Sequence, residues 1–333
     1  MWVFRTIGVT RCSAGVSSLA RCLHTCPVLE GVTKANLSKL RKKTGFTFVN
    51  CRKALEKFEN DLEQAEKWLK EQAQKEGWAK ATKLQDRQTA QGLVGVAQEG
   101  TMATMVEVNC ETDFVARNPK FRQLVTQVAM ATLGDVKAHP QWTLGWLKAL
   151  HTGEELKQLQ IGDTTLGDLT ALTIGTLGEN IQIRRAMYYS VPPIPTKHVG
   201  VYVHAPVAGT TGGQSGSCAL GKYGALVAFR RKNTEFQNFN AAELGRRLGQ
   251  HVVGMSPLTV GEMPEVREEE GEKKDGDKQD EEERSTDSDE DETQMLRQTF
   301  LLDPTMTVGE MTRQQGIELL DFVRFECGEV EES

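Results

Sequence analysis

Apolar residues along the chain change their spacing several times, and each change predicts a different element. Over residues 34–72 the spacing is helical. Ala35, Leu37 and Leu40, with Arg41 beside them, open a short helix that the Thr44-Gly45 break stops. Val49, Cys51, Ala54, Leu55 and Phe58 predict a second helix. Asn60-Asp61 starts a third, with Leu62, Ala65, Trp68 and Leu69 as its apolar face. Three short helices enclose only a small core, marginal by itself. Residues 73–91 are charged and rich in Lys, Gln and Ala, which predicts a solvated helical extension or linker.

From Gly92 the pattern becomes that of strands. The runs Gly92–Gln98 and Thr101–Asn109 flank Glu99-Gly100 and predict a hairpin. Asn118 suits an N-cap and Pro119 the first helical position. Phe121, Leu124, Val125, Val128, Ala129 and Thr132 then fall on one face of a helix that Gly134 is placed to end. Residues 135–180 are mostly polar, with a leucine pattern predicting a helix around 165–177, and Ile181–Tyr189 reads as a strand. The hairpin-and-helix pattern then returns. Gly200–His204 pairs with Gly224–Phe229, Asn240 and Glu243 form a capping box, and Leu244, Leu248 and Val252 face inward. Phe300–Leu302 and Phe322–Phe325 read as the last strands. The predicted fold class is α+β: a helical module, then two core subdomains, residues 92–190 and residues 191–261 with 294–329, each an antiparallel sheet covered by helices.

Charge alters this picture at both ends of the chain. Net charge is −6 over 333 residues, but Glu262–Glu292 holds 17 acids and 5 bases, which leaves the remainder basic. Such a run cannot bury enough apolar surface to offset the entropy of ordering it, so residues 262–293 are read as a disordered acidic insert. Residues 1–29 contain no acid, yet carry Arg5, Arg11 and Arg21 among serines. That composition predicts a mitochondrial transit peptide over residues 1–33 and a matrix location. No run of about 18 apolar residues is present to make a membrane span. The 7 cysteines are scattered and predict free thiols in a reducing compartment.

Chemistry is sparse. Gly216–Lys222 matches the start of a phosphate loop, but Tyr223 stands where magnesium needs Ser or Thr, and a strand follows where a helix is needed. No metal-ligand spacing or nucleophile motif occurs, so neither a cofactor nor enzymatic covalent chemistry is expected. One connection stands out: Val106–Asn118 places Phe114 and Val115 beside Asp113 at a loop tip before the Asn118 cap. An aromatic displayed there is a binding anchor. Equally, Phe114 could fold back onto the sheet while Thr112 or Asp113 caps a helical turn.

Thr112-Asp-Phe-Val-Ala116, Leu40-Arg-Lys-Lys-Thr-Gly45, Cys51–Leu55, Leu177-Gly-Glu-Asn-Ile181 with Arg184-Arg185, Gly221–Val227 and Phe322–Glu329 together resemble the elongation factor Ts family, guanine-nucleotide exchange factors of elongation factor Tu. With its leader the chain is similar to the mitochondrial form. The resemblance implies that residues 34–72 are a ubiquitin-associated-like module and that the partner is mitochondrial elongation factor Tu. It implies no direct nucleic-acid, membrane or stable small-molecule ligand. Thr112, Asp113, Phe114 and Val115 would form the segment intruding beside the partner's magnesium and nucleotide. Leu40, Arg41, Thr44, Gly45, His204 and His251 would be further partner contacts. Bacterial members dimerise through a coiled coil where this chain has its acidic run, so a one-to-one complex is implied. A ubiquitin-binding adaptor and a nucleic-acid-binding translation protein are the rival readings. The first is opposed by the leader and the core subdomains, the second by the shortness of the Lys42-Lys43 and Arg230–Lys232 clusters.

Overall fold

The structure, a computed structural model, describes residues 32–44, 46, 48–138, 147–207, 218–232, 239–262 and 292–329. The predicted leader and acidic insert therefore lie almost wholly outside the described residues.

The chain divides into two units, the first ending at Glu66. In the first, α1 (Lys34–Thr44) and α2 (Phe48–Lys57) enclose Leu40, Phe46, Cys51, Ala54, Leu55 and Ala65. Glu59 and Asn60 take left-handed conformations that turn the chain after α2. Asp61 Oδ1 then accepts the N–H groups of Glu63 and Gln64 at 2.8 and 3.0 Å, starting α3 (Leu62–Leu84) as predicted. Val49, expected on the inner face of α2, is instead exposed beside Phe48.

Helix α3 runs on into the second unit, so most of the predicted linker is helix. Its partner there is α7 (Leu166–Leu177). A Cβ on Gly77 would lie 1.7 Å from the Ala171 carbonyl oxygen, and one on Gly175 would lie 2.1 Å from that of Ala73. Glycine at both places lets the backbones touch. Asp168 Oδ1 accepts Gln74 Nε2 at 2.7 Å and Trp78 Nε1 at 3.3 Å, which fixes the seating.

The rest of this unit stacks two antiparallel sheets between helices. Strands β1 (Gln91–Glu99) and β2 (Met102–Cys110) form the predicted hairpin. With β3 (Leu147–Thr152), β6 (Ile181–Ser190) and β8 (Cys218–Gly221) they make a five-stranded sheet in the order β3-β6-β2-β1-β8. A second sheet has the order β10-β9-β7, from β7 (Lys197–His204), β9 (Tyr223–Arg231) and β10 (Ile317–Glu326). A small β4 (Gln160–Ile161) and β5 (Thr164–Thr165) hairpin follows α6 (Gly153–Lys157). The alternation along β9 explains the stack. Ala225, Val227 and Phe229 face α8 (Ala241–Met255) and the 295–311 segment, while Leu226 and Ala228 face the first sheet across Val94, Val96, Met105 and Tyr189. The outer face of the first sheet is covered by α4 (Asp113–Ala116), α5 (Pro119–Ala138) and α7.

Several expectations are corrected. Each core subdomain has its own sheet, as expected, except that β8, from the second, joins the first sheet by pairing with β1. Gly134 does not end α5; a Cβ would meet nothing there, and Val136 continues the buried stripe to Ala138. Asn240 caps α8 by accepting Glu243 N at 3.1 Å, but the Glu243 carboxylate is held by Arg246 at 2.7 and 2.9 Å and does not return to the cap. Phe300–Leu302 is a turn and not a strand: Phe300 is buried, Leu301 and Leu302 are exposed, and Asp303 N bonds back to Phe300 O at 2.9 Å. Lys222 of the phosphate-loop-like run sits where the chain crosses between sheets, its Nζ on Gly92 O at 3.0 Å, with β9 and no helix after it.

Candidate functional site

Strand β2 ends at Cys110, and within a few residues the chain turns into the four-residue helix α4. Thr112 is its N-cap, extended at φ −124° and ψ 154°, with its hydroxyl accepting Val115 N at 3.4 Å. Successive helical residues point about 100° apart. Val115 and Ala116 are turned into the core beneath β1 and β2, which leaves Phe114 on the opposite side. Phe114 is 79% exposed, the most of any large hydrophobic among the described residues. The sheet does not receive it: Phe114 is displayed, but on a helical turn capped by Thr112 and not on a loop, and Val115 is turned inward. Asp113 is half-buried beside Phe114, its carboxylate 2.9 Å from the Arg117 guanidinium one turn on. Asn118 Oδ1 accepts Lys120 N at 2.9 Å and starts α5. Burial lowers the pKa of the Lys120 ammonium.

Such a short helix has no stability of its own, since nucleation alone is unfavourable. It is fastened from the α7–β6 corner. Gly178 ends α7 in the left-handed conformation, φ 82°, and delivers Glu179 to Thr112. The Glu179 carboxylate accepts the Thr112 hydroxyl at 2.9 and 3.0 Å and the Thr112 N–H at 3.2 Å. Glu111 answers in the other direction, accepting Asn180 N at 2.8 Å and Arg87 Nη1 at 3.3 Å. Below them the Cys110 thiol donates to Thr112 O at 3.2 Å; burial, first of all, pushes this thiol up to about 12, so it stays protonated.

A family model described as "Elongation factor Ts, mitochondrial, N-terminal" matches residues 20–79, and one described as "Elongation factor TS" matches residues 111–329. The chain belongs to the elongation factor Ts family. The mitochondrial elongation factor Ts of Xenopus laevis is 48% identical over 310 residues, 93% of this chain and 91% of that protein. The one from Salmo salar is 45% identical over 329 residues, 98% and 96% of the two chains. The human protein of the same name is 46% identical over 307 residues, 90% and 85%.

Two of the other motifs, Arg184-Arg185 and Phe322–Glu329, meet around a buried carboxylate. Glu107 of β2 is fully buried and takes Arg184 Nη1 at 3.1 Å, Arg185 Nε at 2.8 Å, Asn109 Nδ2 at 3.1 Å and Gly328 N at 2.8 Å. Arg185 and Arg324 also hold Glu329, at 3.4 and 3.2 Å. The Phe322–Glu329 segment is thus tied to β2, the strand that leads into α4.

Other predicted contacts fall in three classes. Arg41 is exposed, its guanidinium 4.0 Å above the Phe48 ring, and His204 is exposed at the end of β7 with its Nδ1 3.1 Å from Tyr202 Oη. Gly45 lies outside the described residues. Leu40, Thr44, Val115 and His251 are buried, a correction to their expected place at a surface. Leu40 and Thr44 fill the first unit, where Thr44 Oγ1 donates to Leu40 O at 2.8 Å. His251 is inside the core, with Nε2 3.0 Å from Gln298 Oε1 and Nδ1 accepting Leu301 N at 3.2 Å. Sequence reading missed the fastening role of Glu179 and Glu111. Glu179 lies in the Leu177–Ile181 motif and Glu111 directly before Thr112, but carboxylates in polar connections look like solvated charge.

Proposed function

We propose that this chain is the guanine-nucleotide exchange factor of mitochondrial elongation factor Tu, working in the matrix as a one-to-one complex. The observation that carries this reading is Phe114, a large apolar ring in solvent on a turn whose neighbours are locked into the core. Phe114 is the wedge that enters the partner beside its magnesium and nucleotide, and Asp113 brings negative charge with it. Arg41 and His204 remain available as further contacts; Leu40, Thr44, Val115 and His251 support the surface from beneath.

The mechanism is differential binding. A factor lowers nucleotide affinity only by binding the nucleotide-free partner more tightly than the loaded one. By linkage, nucleotide weakens the factor by the same ratio. No covalent bond is made or broken, so the chain acts without enzymatic chemistry.

Release of a fluorescent GDP analogue from mitochondrial elongation factor Tu tests this. The intact mature chain is expected to accelerate release in a concentration-dependent, saturating manner. Release at the spontaneous rate at every concentration overturns the proposal.

A further inference from the structure

We infer that Glu179 is a positioning residue for exchange, setting the direction in which α4 presents Phe114 and Asp113. The inference rests on the proposed exchange function. Three observations lead to it. First, α4 is four residues long and makes few bonds of its own, so its orientation is decided by what holds its ends. Second, Glu179 grips the N-cap through both donors of Thr112, the hydroxyl at 2.9 and 3.0 Å and the N–H at 3.2 Å. Because the hydroxyl hydrogen goes to Glu179, a lone pair is left for Val115 N at 3.4 Å, so one carboxylate orders the cap as well as the residue. Third, the grip is reciprocal. Glu111, directly before Thr112, accepts the N–H of Asn180, directly after Glu179. Each corner gives its carboxylate to the backbone of the other, which fixes both the separation and the twist of the two corners.

A hinge with one such bond could rotate about it; two antiparallel bonds cannot. The cost of losing the clamp is therefore a wedge that still exists but is held only from the Val115–Ala116 side, its N-terminal end no longer fixed. This is a defect in the step after encounter, since contacts elsewhere on the molecule still bring the partner in. Small misplacements of a reacting or displacing group carry large rate penalties.

The test measures GDP release from mitochondrial elongation factor Tu over a range of factor concentrations, for the wild-type chain and for Glu179→Ala, Glu179→Gln, Thr112→Val, Phe114→Ala and the Glu179→Ala/Phe114→Ala double variant. Glu179→Ala is expected to lower the saturating rate about 10-fold or more while moving the half-saturating concentration less than about 3-fold. Thr112→Val, which keeps shape and loses the hydroxyl, is expected to do the same. Glu179→Gln retains an acceptor oxygen and recovers most of the rate. The double variant is slowed by far less than the product of the two single effects, because Glu179 works through the side chains that α4 presents. Melting temperatures read alongside separate unfolding from mispositioning; if Glu179→Ala is unfolded, Glu179→Gln and Thr112→Val decide. A wild-type saturating rate in folded Glu179→Ala or Thr112→Val overturns the inference. So does slowing by that full product in the double variant. If Phe114→Ala itself exchanges normally, it is the proposed function that fails, and the clamp falls with it.

Discussion

An apolar ring left in water adds little to folding, whereas the residue after it is inside the core, and this contrast makes the signature separable by mutation. Phe114→Ala is expected to change stability by no more than about 0.5 kcal/mol, as for most surface substitutions. Val115→Ala removes buried methyl groups and is expected to cost about 2 kcal/mol, read as a lower denaturation midpoint. Asp113→Ala loses an exposed ion pair with Arg117, an effect of roughly 0.3–0.5 kcal/mol on stability. A different residue-scale expectation concerns His251. Its folded-state pKa is lowered from 6.5 to about 4, first by burial, and its Nδ1 must stay unprotonated to accept Leu301 N. Between those values the unfolded chain binds a proton that the folded chain does not, so stability falls as pH drops from about 6.5 and levels off below about 4. The full span is about 3 kcal/mol. Urea unfolding at pH 7, 6 and 5 of the wild-type chain and His251→Gln checks it, since the variant lacks this part of the slope. Identical pH slopes would remove the role assigned to His251.

At the scale of elements, α3 gives the sharpest contrast between sequence and structure. A charged helix with a weak apolar stripe reads as a linker, yet it is seated on α7 through Gly77 and Gly175 and through Asp168. In a solvated helix Gly77→Ala would stabilise by up to ~1 kcal/mol. Against a carbonyl 1.7 Å from the new Cβ it is expected to destabilise by about 1–3 kcal/mol and to expose α3 to limited proteolysis. Stabilisation would return α3 to the role of a linker. The helices α5, α7 and α8 were legible because their apolar residues repeat at the helical period, and the β1–β2 hairpin because Glu99-Gly100 supplies a turn between two apolar, β-branched runs. Stacking of the two sheets was not legible, since β9 is apolar on both faces and such a run does not say what lies on each. The short strand β8 leaves its own connection to join β1, a pairing that no local pattern encodes. In the site, Thr112–Val115 could be found from their motif. Which of them face outward required the core positions of Val115 and Ala116.

On the scale of the whole molecule, a chain that acts by binding must keep its presenting surface fixed relative to its core. Glu107 serves that need by joining β2, β6 and the residues after β10 through Arg184, Arg185 and Gly328. Replacing it with Ala leaves two guanidiniums without their buried partner, and a loss of about 3–5 kcal/mol is expected in chemical unfolding. Under the proposed function, folding and exchange fall to different residues, with Glu107 and Val115 holding the body and Phe114 acting on the partner. Truncating an aromatic anchor costs about 2–4 kcal/mol at a hot spot, or roughly 30- to 1,000-fold. The most direct measurement is GDP release from mitochondrial elongation factor Tu by Phe114→Ala, with its melting temperature taken on the same sample. The account predicts release slowed at least about 30-fold at an unchanged melting temperature. Wild-type release by a Phe114→Ala chain that melts early would contradict it.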